Sequence, residues 1–356
     1  MKESKRKYLL LVGMIIIASL VLSGCAGGGV SMNNWPGVSV QGDTVYLSYQ
    51  VIYALRVSDG TLKWQYPEKA NAKNLLYSPV LALDTQALAG DYGGVLRSIN
   101  TNTGTQSWTF EQSKTRYIAS PITANDNILA PSTDGDLYAM NMNGALQWKF
   151  HTSAAIWVSP VSDGTSVYLA SMDKKLYALQ LKDGEKIWEM DMGAAAMTAP
   201  ILSEDGSLVY ITTLGNKVLA VNAASGSLAW EYATTDAVWS QPFLYEGKLF
   251  FGDNDGFVTS LDAATGKKIW STDMGSPVIS GGAILSTGLV FATESGDVIS
   301  ISPEGSKLWT RSVESQVYSN LVVSEDHVLV ALTKSSQLLA CFDANGNQVW
   351  TFTPGK

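Results

Sequence analysis

Cysteine is nearly missing from this chain of 356 residues: Cys25 and Cys341 are the two it has. No CxxC or CxxCH pair exists, which removes zinc ribbons, dithiol redox chemistry and c-type haem attachment from consideration. Histidine is as scarce, with His151 and His327 far apart and neither beside a nucleophile in the sequence. No G-x-S-x-G, H-E-x-x-H or Walker sequence occurs, so no common catalytic motif has residues to stand on. Basic charge is thin as well: 24 Lys and Arg face 32 Asp and Glu, a net charge of −8. After residue 7 no run of Lys and Arg appears, and an acidic surface without such a run repels phosphate backbones; nucleic acid is not an expected partner.

The few basic residues are spent unevenly. Lys2, Lys5, Arg6 and Lys7 precede an apolar stretch from Tyr8 to Leu22 that is short for a membrane span, and small residues follow, which is the layout of a secretory leader. The run Leu22-Ser23-Gly24-Cys25 resembles the bacterial lipobox, in which the cysteine becomes the lipidated first residue of the mature chain. The competing reading is an uncleaved anchor helix; either places the body outside the cytoplasm. The expected division is 1–24 leader, 25–34 lipidated Cys25 and flexible tether, and 35–356 folded domain. Without residues 1–25 there remain 20 basic and 31 acidic residues, a net charge of −11. With Cys25 on lipid, Cys341 in the run LLACF has no disulfide partner and reads as a packing residue.

What the chain does have is glycine, 32 in all, with 11 Trp and 15 Tyr, and apolar residues at 46%. A Gly stands four positions before a Trp at Gly60/Trp64, Gly104/Trp108, Gly144/Trp148, Gly184/Trp188, Gly226/Trp230, Gly266/Trp270, Gly305/Trp309 and Gly346/Trp350. Successive Trp residues are 39 to 44 positions apart. A small residue keeps the same phase nine or ten places before each Trp: Ala54, Ser98, Ala139, Ala178, Ala220, Ser260, Ser300 and Ala340. Within a unit, runs rich in Val, Leu, Tyr and Trp alternate with Gly and Asp turns, the pattern of short antiparallel strands. No helical period of comparable strength appears after residue 25. Four strands per ~40 residues, repeated eight times, predict an all-β, eight-bladed β-propeller of four-stranded antiparallel blades. A four-stranded sheet cannot bury both faces alone, so each Trp is expected to dock one blade on a neighbour, with the small residue making room for a ring from the next blade. The Gly is expected in a hairpin turn at positive φ.

The units Ala220 to Trp230 and Ser260 to Trp270 resemble the tryptophan-docking motif of quinoprotein-type propellers, the PQQ-like repeat family, over nearly all of 36–352. WD-repeat propellers match less well, because no Trp-Asp ending or Gly-His opening recurs. A lipid-anchored single propeller of this size is similar to the BamB-like lipoproteins. That resemblance implies a non-catalytic protein-interaction scaffold in the bacterial envelope, facing the periplasm or the exterior, with envelope proteins such as a β-barrel assembly complex as partners. The same family includes dehydrogenases that use pyrroloquinoline quinone (PQQ) and Ca²⁺. They carry long insertions and a vicinal cysteine pair that this chain lacks, so neither cofactor is expected and no catalytic residue is assigned. The alternatives are a propeller that senses a ligand or quinone in its channel and, last, an active dehydrogenase.

One candidate site remains. Entry to the first strand of most units carries an aromatic: Trp35, Tyr77, Tyr117, Trp157, Trp239 and Tyr318, with Met197 at the matching place and Lys114, Arg116 and His151 nearby. Pointing outward these residues form a partner face, and pointing inward they are core; sequence leaves both readings open. Asp253 to Gly256, DNDG, is short of ligands for a calcium loop and is expected to be a turn, so no metal site is assigned.

Overall fold

The computed structural model describes residues 35–71, 75–333 and 335–355. The leader, Cys25 and the tether lie outside the described residues. Eight four-stranded sheets are formed, each from four consecutive antiparallel strands. They span 37–66, 81–110, 122–151, 161–191, 201–233, 243–273, 283–312 and 322–352, numbered here as blades 1 to 8. First strands of neighbouring blades contact one another, as in blades 1 and 2, 4 and 5, 7 and 8, and 8 and 1, which puts them at the centre of the ring.

Blade 4 shows why these residues make this structure. Its second strand, Ser166–Ala170, and third, Lys175–Gln180, read SVYLA and KLYALQ and are buried at almost every position, because blades cover both of their faces. The fourth, Lys186–Asp191, reads KIWEMD and alternates exposed with half-buried residues, because one of its faces is packed and the other meets solvent.

The third and fourth strands place most Trp residues opposite the small residue of their own blade. Ala54 pairs with Trp64, Ala178 with Trp188, Ala220 with Trp230 and Ser260 with Trp270. In these four blades the second strand completes the row with Tyr46, Tyr168, Tyr210 and Phe250. Over the small residue the two rings meet at 5.9, 6.0, 5.8 and 5.8 Å. The expectation that the small residue admits a ring from the next blade is therefore corrected: the ring belongs to its own blade.

Trp108, Trp148 and Trp309 depart from the expectation in a second way, because no second ring enters their rows at all. Trp108 faces Ser98, Trp148 faces Ala139 and Trp309 faces Ser300, and the second strand supplies Leu88, Leu129 and Val290 beyond them. An aliphatic side chain fills the space over the small residue in these three blades, so the row demands bulk and not aromaticity. Trp148 is the most enclosed of the three, 9% exposed, while Trp108 and Trp309 are half-buried.

In blade 8 the middle of the row is Cys341, opposite Trp350, and Ala340 pairs with Thr351. The cause is turn length. In blades 1, 2, 4, 5 and 6 the turn Gly N–H bonds to the carbonyl four residues back, whereas Gly144, Gly305 and Gly346 reach only three back. The shorter turn brings the residue nine places before the Trp opposite it. Ala139 and Ser300 already stand nine before Trp148 and Trp309, but Ala340 stands ten before Trp350 and misses the row.

The far side of each Trp meets the next blade. A Cβ added to any of the eight turn glycines would come within 2.5–2.8 Å of the preceding blade's Trp ring, and all eight have φ between +68° and +91°. Only glycine satisfies both conditions. The docking role expected of the Trp residues holds for Trp108, Trp148 and Trp309 as for the rest, since their rings cover Gly144, Gly184 and Gly346. The indole N–H of Trp64 donates to Thr101 O at 2.7 Å, and that of Trp270 to Pro303 O at 2.9 Å. Trp148 donates to Leu181 O and Trp309 to Ala344 O, both at 2.9 Å. Trp350 of blade 8 does the same to blade 1, reaching Val57 O at 2.8 Å beside Gly60. The ring thus closes with the rivet used everywhere else, and among the described residues no strand is exchanged between the first and last blades.

Candidate functional site

The segments that lead into each first strand lie at the end of the blades away from the glycine turns. Those entering blades 2, 3, 4 and 7 are each stitched to two turns between second and third strands, and those entering blades 5, 6 and 8 to one. Ile156 N–H bonds to Ser132 O at 3.2 Å in blade 3, and Ala155 O accepts from Met172 N–H at 3.0 Å in blade 4. Val278 to Asp253 O and Pro277 O to Glu294 N–H repeat the pattern at 3.0 and 2.7 Å, and so do Tyr117 to Asp91 O and Arg116 O to Thr133 N–H at 3.0 and 3.2 Å. The connecting segments and these turns therefore share one face, here the mouth face.

These bonds set the register, and the register changes the candidate list. The residue after Ile156 is Trp157, after Val278 Ile279, after Val238 Trp239 and after Tyr117 Ile118. Tyr117 thus occupies the inward position. It is 1% exposed, and a Cβ on Gly90 would come within 2.2 Å of it. Its buried hydroxyl has no hydrogen-bond partner, and burial holds its pKa far above the ordinary phenol value. Tyr77 is in register but buried, 7% exposed, packed against Tyr49 and Tyr92. The partner-face reading is corrected for both: they are core. Ile118 and Ile279, missed by a search for aromatics, take the matching places in blades 3 and 7.

The result is a collar of one large apolar side chain per blade: Trp35, Tyr77, Ile118, Trp157, Met197, Trp239, Ile279 and Tyr318. Trp35 and Trp157 are the exposed members, at 42% and 38%, and all the others except Tyr77 are half-buried. Trp35 stacks on Tyr318 across blades 1 and 8 at 5.2 Å, and Ser319 Oγ donates to Pro36 O. Tyr318 OH donates to Glu294 at 2.8 Å; burial, then that carboxylate, pushes its pKa up to about 12.

Charge is divided around the collar. Lys114, Arg116, Lys149, His151 and Lys174 are exposed around the turns of blades 2 to 4. Three of them are held in place: Arg116 lies 5.3 Å over the Tyr92 ring, and Asp136 accepts from Lys149 Nζ at 2.9 Å and contacts His151 Nδ1 at 2.8 Å. Blades 6 to 8 present Asp255, Glu294 and Glu314 on the same face. Asp253 of the DNDG turn is 3% exposed and accepts Phe257 N–H at 2.9 Å, so it closes the turn, and burial raises its pKa.

Among the described residues no three His, Cys, Asp or Glu side chains converge as a metal site. Cys341, the one cysteine among the described residues, is 1% exposed and enclosed between Trp350 and the core of blades 1 and 8, where burial pushes its thiol up to about 12.

Comparison with known proteins places this geometry. A family model described as outer membrane protein assembly factor BamB matches residues 26–174, 137–233 and 172–351. The outer membrane protein assembly factor BamB of Nitrosomonas eutropha is 29% identical over 112 residues, 31% of this chain and 27% of that protein. The chain thus matches about a quarter of that relative's length. In fold, the crystal structure of BamB from Moraxella catarrhalis superposes with a TM-score of 0.69 at 17% identity, covering 83% of this chain and 90% of that one. A quinohemoprotein alcohol dehydrogenase from Pseudomonas putida superposes almost as well, at 0.68 with 14% identity, covering 83% and 69%. Fold alone does not separate scaffold from enzyme.

Proposed function

Because this chain belongs to the family described as outer membrane protein assembly factor BamB, we propose that it is a lipid-anchored, non-catalytic scaffold of a bacterial envelope that seats a protein of the β-barrel assembly machinery on its mouth face. The observation that carries the reading is the collar. Exposed Trp157 sits between the Lys114, Arg116 and His151 side of blade 3 and Lys174 of blade 4, an aromatic anchor in a charged rim that also carries Asp134 and Asp173. Buried aromatic anchors inside a polar rim dominate the energetics of protein interfaces, while the rim steers encounter.

A photo-crosslinking residue in place of Trp157 in intact envelopes tests the proposal. Capture of an assembly-machinery subunit, lost in the Trp239→Ala background, is the expected result. Capture of that subunit only from positions at the glycine-turn end overturns the mouth-face assignment.

A further inference from the structure

Blades 1 and 2 leave a cavity of about 340 Å³ between them at the glycine-turn end, away from the collar. Gln41, Lys63, Asp84 and Asn102 supply polar lining, and Tyr46 and Trp64 supply aromatic lining. Cavities that hold small molecules start at about 300 Å³, so this one suits a compact ligand.

Tyr46 marks the cavity as more than a gap in packing. The residue is 2% exposed, and a buried phenol ordinarily finds a partner for its hydroxyl. Its counterparts in blades 4 and 5 do: Tyr168 OH donates to Asp163 at 2.9 Å and Tyr210 OH to Ala263 O at 3.0 Å. Among the described residues the Tyr46 hydroxyl closes no such bond. Neighbouring Thr44 is already committed, donating to Asp43 at 3.0 Å and accepting from Lys63 at 2.7 Å. A cavity of about 420 Å³ stands at the matching place between blades 4 and 5, but there Asp163 has taken the phenol.

The groups left open select the ligand. Lys63 Nζ lies 2.6 Å from Asp43 Oδ1, so the place a small cation would take is filled. Asp43 and Asp84 together outnumber Lys63, which disfavours an anion. What remains is the Tyr46 hydroxyl, able to donate and accept, the Asn102 amide, and the Gln41 amide oxygen, whose nitrogen donates to Asp84 at 2.9 Å. Neutral donors and acceptors beside ring edges match the vicinal hydroxyls and apolar faces of a sugar. We propose that this cavity is a binding site for a neutral saccharide of one or two rings, separate from the mouth face.

The experiment titrates the full chain with maltose and with diacetylchitobiose, read by ligand-observed NMR and by the urea midpoint. Saturable binding that raises the midpoint is expected. Maltose binding marks a free sugar as the ligand, and binding of diacetylchitobiose alone marks an N-acetylated glycan. Tyr46→Phe keeps the ring and removes the hydroxyl, so affinity should fall about three- to tenfold while the midpoint without sugar is no lower than native. Asn102→Ala should also weaken binding, and Tyr168→Phe should leave it unchanged. The proposal is overturned if neither sugar saturates the chain by about 10 mM. Native affinity in Tyr46→Phe, or an equal loss in Tyr168→Phe, overturns it as well. A lower midpoint for Tyr46→Phe without sugar would show that the hydroxyl is bonded within the protein, and the site falls with it.

Discussion

Trp350 of the last blade stands over Gly60 of the first, where an added Cβ would come within 2.5 Å of its ring. At the other seven blade junctions the chain itself ties neighbours together; here the rivet and the packing around it act without a covalent link.

Gly60→Ala is therefore expected to cost more than its backbone strain. Gly60 and Gly247 have φ of +69° and +70°, but nothing lies within 4 Å of a Cβ at Gly247. Gly247→Ala isolates the left-handed strain, about 1–2 kcal/mol. Gly60→Ala adds a clash with an indole that cannot withdraw, a further 1–3 kcal/mol or so of overpacking. Urea denaturation of the two variants checks this, and equal losses would show that the rivet yields to a methyl group.

Tyr117 and Trp157 looked equivalent by aromatic type and differ by one place in register. Tyr117→Ala empties a fully buried site and is expected to cost about 3–5 kcal/mol. Trp157→Ala removes an exposed ring, with a stability change expected below about 1 kcal/mol. Partner capture should fall in Trp157→Ala at unchanged melting temperature. A large stability loss there would move Trp157 from the interface to the core.

That one-place difference marks how far the sequence could be read. The Gly-to-Trp word recurs because steric contact between two blades permits nothing else at either position, so blade number, strand count and docking were legible. What fills the row beside each Trp was not. Trp108, Trp148 and Trp309 carry the same word as Trp64, yet Leu88, Leu129 and Val290 stand where Tyr46 does, because any side chain of sufficient bulk closes that space. The collar obeys a weak rule of the same kind. Any large apolar side chain serves there, and Ile118 and Ile279 carry no compositional flag that Trp157 carries. Register came from backbone hydrogen bonds such as Ile156 to Ser132 O, which leave no residue signature. The shortened turn before Gly346 likewise put Cys341, not Ala340, opposite Trp350.

Alkali should unfold the ring. Burial pushes Tyr46, Tyr168 and Tyr210 up to about 12 from an ordinary 10.0, with the hydrogen bond that Tyr168 donates to Asp163 adding to the effect there, and Cys341 to about 12 from 9.0. Raised values in the folded state mean that it holds more protons than the unfolded chain between the two. The stabilisation is fully present below the ordinary values and is lost as pH rises from about 9 through 12. Urea midpoints should fall steadily across that window. Alkylation of Cys341 at pH 8 should require denaturant; rapid labelling of the native chain would contradict its burial.

The small residue in the row makes its own prediction. Ser260 and Ser300 are 0% exposed and their hydroxyls find no hydrogen-bond partner, whereas Ser98 Oγ donates to Gln86 Oε1 at 3.0 Å. Blades 1, 3, 4 and 5 place Ala there. A buried unpaired hydroxyl costs roughly 1–3 kcal/mol, so Ser260→Ala and Ser300→Ala are expected to raise the urea midpoint, while Ser98→Ala should lower it or leave it unchanged. If the hydroxyls of Ser260 and Ser300 were satisfied by trapped water, both substitutions would lower stability as Ser98→Ala does. Ser260→Val separates size from polarity. Phe250 and Trp270 already meet over this position at 5.8 Å, so two added methyl groups should be destabilising although the hydroxyl is gone.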